Sequence, residues 1–156
     1  MMSEQKALIE EMNKFLKGTH MGAQTFRDYI KKSKDEGLKN ELIKIIEAFK
    51  KHEECATRHI EKLGGEPADT TGLAGELSNF FNKLKNITIN EDKEVLEHAI
   101  KAMDMGIKQG NMLLDGYQDK GLDSSIFNDL RNMVNEYTIH KNSLEKLMEK
   151  NFSKDK

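Results

Sequence analysis

The sequence predicts an all-α protein, an antiparallel four-helix bundle with a long connection between its second and third helices. Three observations predict it. Apolar residues recur at three- and four-residue spacing through four long segments, the stripe of a helix with one buried face. Pro67 is the only proline, and Lys, Glu, Leu, Ile and Met are abundant. The chain also repeats itself in order. Met21-Gly22 corresponds to Met105-Gly106, and Asp35 to Leu38 corresponds to Asp119 to Leu122 at the same offset. After four extra residues, Phe49 matches Tyr137 and His52 matches His140. The chain therefore reads as one domain, 1–156, made of two similar helix hairpins at about 3–63 and 90–152.

Helix 1 is predicted from the N-cap residue Ser3 to about Lys34, with Leu8, Met12, Phe15, Leu16, Ala23, Phe26 and Ile30 on its stripe. Gly22 lies in that stripe, where it weakens the helix by about 1 kcal/mol relative to alanine and lets a neighbour approach. Asp35-Glu36-Gly37 is a short turn, which makes helix 2 antiparallel to helix 1. Helix 2 is predicted from about Leu38 to Leu63, its stripe running through Leu42, Ile45, Phe49, His52, Ala56 and Ile60. Gly64, Gly65 and Pro67 stop it: glycine suits a left-handed C-cap, and proline cannot continue the helix.

The long crossover follows. Leu77, Phe80, Phe81 and Leu84 predict a short extra helix over 76–85 that covers one end of the bundle or meets a second subunit. Helix 3 is predicted from Asn90 to Lys120, with Val95, Leu96, Ala99, Met103, Gly106, Gly110, Leu113 and Tyr117 inward. Helix 4 is predicted from Ser124 to Phe152, with Phe127, Leu130, Met133, Val134, Tyr137, His140, Leu144 and Leu147 inward.

Composition excludes several function classes. Basic and acidic residues nearly balance, 25 against 27, which leaves no electrostatic footprint for nucleic acid or an anionic membrane. No segment approaches the roughly 18 apolar residues of a membrane span. Cys55 is the only cysteine and the N-terminus carries no apolar signal region, so a cytoplasmic protein is expected, a homodimer among its options. There is no glycine-rich phosphate loop and no nucleophile triad.

Two histidines on apolar stripes, related by the repeat, suggest a metal site. The repeat also pairs His20 with Asp104, giving one candidate ligand per helix: His20, His52, Asp104 and His140. Imidazole and carboxylate in that combination suit zinc, iron or manganese. Glu53 and Glu136 are reserves, whereas His59 and His98 read as exposed and without a role. Cys55 reads as a small buried thiol or a soft ligand. The competing reading makes each stripe histidine a core residue hydrogen-bonded to a neighbour, with Asp104 or Tyr137 as partner.

His52 followed by Leu63-Gly-Gly-Glu-Pro67 resembles the second helix of ferritin-like proteins, bacterioferritins and rubrerythrins included. The whole chain resembles more specifically a bacterial family of ferritin-like four-helix-bundle proteins of unknown function, through Leu16 to Gly22, Leu63 to Pro67 and Met103 to Gly106. The resemblance implies the ferritin-like fold. In its di-iron members two helices each give a Glu-x-x-His pair and the other two give one glutamate each. Here the histidines are His52 and His140, but the four glutamate positions are Thr19, Phe49, Met103 and Tyr137. None is a carboxylate, so a di-iron oxidoreductase lacks its ligands. The sequence favours a non-catalytic structural, regulatory or stress-related bundle; the alternative is a metal-binding protein with a rearranged His/Asp site.

Overall fold

A computed structural model describes residues 2–69, 79, 81–83, 88–117 and 119–152. Four long helices dominate: α1 (Met2–Lys32), α2 (Glu36–Lys62), α3 (Asp92–Tyr117) and α4 (Ser124–Phe152). No strand occurs among the described residues, and no helix is long and apolar enough to cross a membrane. Of the expected short helix, residues 79 and 81–83 are helical and the remainder lies outside the described residues.

The ends are set by local chemistry. Asp35 caps α2, its carboxylate accepting from the Leu38 N–H at 2.9 Å. This places the start of α2 two residues ahead of the expected Leu38. Gly64 takes φ +87° after the last turn of α2, and Gly65 N–H donates to the Ile60 carbonyl at 2.9 Å. The expected start of α3 at Asn90 shifts to Asp92 for a tertiary reason. The Asp92 carboxylate accepts from the Lys34 and Asp35 N–H groups at 2.8 and 2.9 Å, in the α1–α2 turn.

That clamp fixes the topology. α3 begins where α1 ends, so α1 and α3 run antiparallel. The start of the crossover is tied down at the opposite end, where Asn13 donates to the Glu66 carbonyl and accepts from Ala68 N–H. The helices pack α1 on α2, α3 on α4, α1 on α3 and α2 on α4.

All four stripes meet in one core, from Leu8 and Met12 on α1 to Tyr137 and Leu144 on α4. Tyr29 and Ile126 are also buried there, although the sequence reading left them off their stripes. Glycines let the helices close on large side chains. A Cβ on Gly22 would lie 3.2 Å from the Phe49 ring, and one on Gly106 would lie 3.3 Å from the Tyr137 ring. At Gly110 it would come within 2.5 Å of Val134 Cγ2. Valine is stiff about χ1, so the contact cannot be relieved by a small rotation. Gly110→Ala is therefore expected to lower stability by about 1–2 kcal/mol, overpacking outweighing the gain in helix propensity. Urea midpoints of the variant, alone and with Val134→Ala, check this: the second change should recover part of the loss.

Candidate functional site

The middle of the bundle is aromatic. Phe49 from α2 and Tyr137 from α4 pack with their rings tilted by 60° at 5.7 Å between centroids, with Phe26 edge-on to Phe49 at 5.3 Å. Phe15 approaches Tyr137 at 6.4 Å, and the His52 imidazole meets it edge-on at 4.8 Å. The Thr19 hydroxyl donates to the Phe15 carbonyl at 2.9 Å, and a hydrogen bond joins it to the Tyr137 hydroxyl. With the Thr19 proton spent on the helix backbone, the tyrosine is the donor of this pair. Burial holds the Tyr137 phenol well above its ordinary range, so it stays protonated. A cavity of about 30 Å³ remains beside these rings, walled by Thr19, Phe49, Phe81 and Tyr137 among others.

Thr19, Phe49 and Tyr137, three of the positions onto which the resemblance places the di-iron glutamates, lie together, and Met103 is buried in the same core. A di-iron centre needs several anionic oxygens to neutralise and bridge two cations. A neutral hydroxyl pair, a phenyl ring and a thioether do not offer them, so these residues do not fit that group.

The predicted ligands each have a partner of their own. His20 Nδ1 lies 3.2 Å from Glu53 Oε2, joining α1 to α2. His52 Nε2 makes a short hydrogen bond with Glu136, joining α2 to α4. His140 Nδ1 lies 3.0 Å from Glu41 Oε2, again between α4 and α2. Asp104 accepts from Lys141 Nζ at 2.6 Å, between α3 and α4. Glu53 and Glu136, the reserves, are thus partners of two of the histidines. Glu41 had no signal in the sequence, because its pairing depends on how α2 crosses α4.

His59 corrects the sequence reading. It is buried, not exposed, at 6% relative exposure, because its position on α2 faces α4. Its Nε2 lies 2.7 Å from Asp129 Oδ2, and Cys55 Sγ donates to the same oxygen at 3.4 Å. His98 is half-buried with a buried Nδ1. The spacing held the missed signal. His52 and His59 are seven residues apart on α2, and Glu136 and Asp129 are seven apart on α4 in the opposite direction. Seven residues is about two turns, so antiparallel helices bring both pairs onto one seam.

Burial lowers the His52 pKa below its ordinary value, against the pull of Glu136 and with small help from His140 and Lys51. A histidine lowered in the folded state takes up its proton more readily when unfolded. Its contribution is thus intact above about pH 6.5 and is lost as pH falls through the folded value. Stability should decline between about pH 7 and pH 5, by at most about 1.4 kcal/mol per pH unit for one proton. His98, lowered chiefly by burial, acts in the same sense. Urea titrations of the parent and of His52→Gln test this; an unchanged pH slope in the variant would remove His52 from the account.

The helix order and directions, with the α2–α3 connection anchored at opposite ends of the bundle, define a ferritin-like four-helix bundle. Two solved structures have the same fold. One is a ferritin-like, diiron-carboxylate protein from Bacillus anthracis str. Ames, with TM-score 0.75 and 20% identity, over 93% of this chain and 97% of that one. The other is a dodecameric thioferritin, the bacterioferritin-related protein from Bacteroides fragilis, with TM-score 0.74 and 14% identity, over 91% and 84%. At these identities the likeness is one of fold. Within the class, the chain belongs to the family described as Domain of unknown function (DUF2383), whose profile matches residues 7–115. That match ends within α3, so Glu136, Tyr137 and His140 lie beyond it. No curated protein matches the chain.

Proposed function

We propose that this chain is a non-catalytic ferritin-like bundle with a structural, regulatory or stress-related role, its centre closed by packed rings. One observation carries this reading: Thr19, Phe49 and Tyr137 form a neutral, aromatic cluster where metal-bridging carboxylates would be needed. The likeness of the Gly22–Phe49 and Gly106–Tyr137 contacts supports a single unit of two duplicated hairpins, both closed in the same way. Air oxidation of ferrous iron, followed by ferric absorbance, tests the reading. The purified chain should leave the rate at that of protein-free buffer, and saturable acceleration would overturn it.

The rearranged-site alternative uses His52, His140, His20 and Asp104 with zinc, iron or manganese. It draws support from His52, whose buried Nδ1 has no hydrogen-bond partner. Against it stand the four separate partners, Glu136, Glu41, Glu53 and Lys141, each of which a metal would have to displace. Bound metal that His52→Ala and His140→Ala both remove would establish it.

Self-association in the cytoplasm belongs to the same proposal. The Bacteroides fragilis relative is described as dodecameric, and Ile43, Met112 and Ile139 are large apolar side chains exposed here. A light-scattering mass distinguishes monomer, dimer and larger assembly.

A further inference from the structure

We propose that Cys55, His59 and Asp129 form a binding site for a zinc-class divalent metal ion, on the α2–α4 seam and apart from the bundle centre. Cys55 and His59 are four residues apart, which places both side chains on one face of α2. Asp129 arrives from α4 in the antiparallel register that also joins His52 to Glu136. The thiol sulfur, the imidazole Nε2 and the carboxylate oxygen all lie within 4.8 Å of one another, and no other group of three or more such ligand atoms occurs among the described residues.

The distances suit a tetrahedral ion. Bonds of about 2.0–2.3 Å put neighbouring ligand atoms about 3.3–3.7 Å apart. Cys55 Sγ and Asp129 Oδ2 are already 3.4 Å apart. His59 Nε2 and Asp129 Oδ2, at 2.7 Å, are held together by a proton and need to open by under about 1 Å to admit the ion. The three ligands differ in mobility. His59 is buried and fixed, whereas the Asp129 side chain is 43% exposed and free to adjust. A groove lined by Cys55, Arg58, Asp129 and Asn132 opens the site to solvent, giving an entry path and a place for water as fourth ligand. Thiolate, imidazole and carboxylate together select zinc or cobalt over magnesium or calcium.

Binding must displace protons. The thiol gives up its proton to solvent as the sulfur–metal bond forms, and the proton between His59 Nε2 and Asp129 transfers to the buried, unpartnered His59 Nδ1, which frees the Nε2 lone pair for the metal. The thiol proton is released on binding, so affinity should rise with pH.

Cobalt titration of the full-length, reduced, chelator-stripped protein tests the site. The expected result is one Co²⁺ per chain with a thiolate-to-cobalt charge-transfer band, displaced by one equivalent of Zn²⁺. Cys55→Ser should abolish the band, and Asp129→Asn, a half-exposed change that spares the fold, should weaken binding at least tenfold. His52→Ala should leave the band in place. Absence of the band at stoichiometric cobalt overturns the proposal. So does a band whose affinity is unchanged in both Asp129→Asn and His59→Gln, which would indicate a lone reactive thiol. Because iron oxidation is a separate measurement, failure here leaves the non-catalytic reading standing, and the reverse also holds.

Discussion

Tyr137→Ala is expected to cost about 3–5 kcal/mol of stability, the range for deleting a large aromatic side chain from a close-packed interior. The ring is 2% exposed and contacts Phe15, Phe49, His52 and the flat backbone face at Gly106. Helices α2 and α4 are already held apart by other core side chains, so the cavity cannot collapse fully. For a chain of this size the loss corresponds to a melting temperature lower by about 10 °C. Tyr137→Phe separates ring from hydroxyl. It removes only the hydrogen bond to Thr19, whose own donor is satisfied by the Phe15 carbonyl, and should cost about 1 kcal/mol. If both variants lose equally little, the ring does not organise the core. If both lose equally much, the hydroxyl pair is the larger element.

Phe49→Glu restores the Glu-x-x-His spelling of a di-iron helix, and is nevertheless expected to destabilise by about 3–5 kcal/mol at neutral pH. Phe49 is 5% exposed, between the rings of Phe26 and Tyr137. Burial would raise the new carboxyl above its ordinary value, so the folded state binds a proton that the unfolded state releases. Stability tied to that proton is present at acid pH and is lost as pH rises through the folded value. The deficit relative to the parent should therefore shrink between pH 7 and pH 5, opposite in sign to the His52 effect. Paired urea midpoints at the two pH values measure it. A deficit independent of pH would mean that the carboxylate reaches water and that the centre is not closed.

Much of the fold was legible without coordinates. The stripes through Phe15, Ile45, Met103 and Leu130 place the buried faces, since burial of one helical face is a local pattern with a period of 3.6 residues. Gly64 after Leu63 and the Asp35 cap are local chemistry of helix ends, read to within about two residues. His52 also landed inside as its spacing required, as did Phe49 and Tyr137.

Partner choice was not legible. His59 looked exposed because helical spacing alone does not say how wide a buried stripe is; the approach of α4 widens it on that side of α2. Glu41 meets His140, and Glu136 meets His52, across 99 and 84 residues of sequence. Asp92 joins the α1–α2 turn from 57 and 58 residues away. Such contacts depend on the crossing and register of helices, which side-chain packing of the assembled core sets. By itself the sequence determined four helices, their inward faces and their short turn. Tertiary structure decided which carboxylate each histidine meets, that Thr19 and Tyr137 share a hydrogen bond, and that Cys55, His59 and Asp129 converge. The physical reason is that helix periodicity is local, whereas a hydrogen bond between two helices exists only at the separation, crossing and register that the packed core imposes.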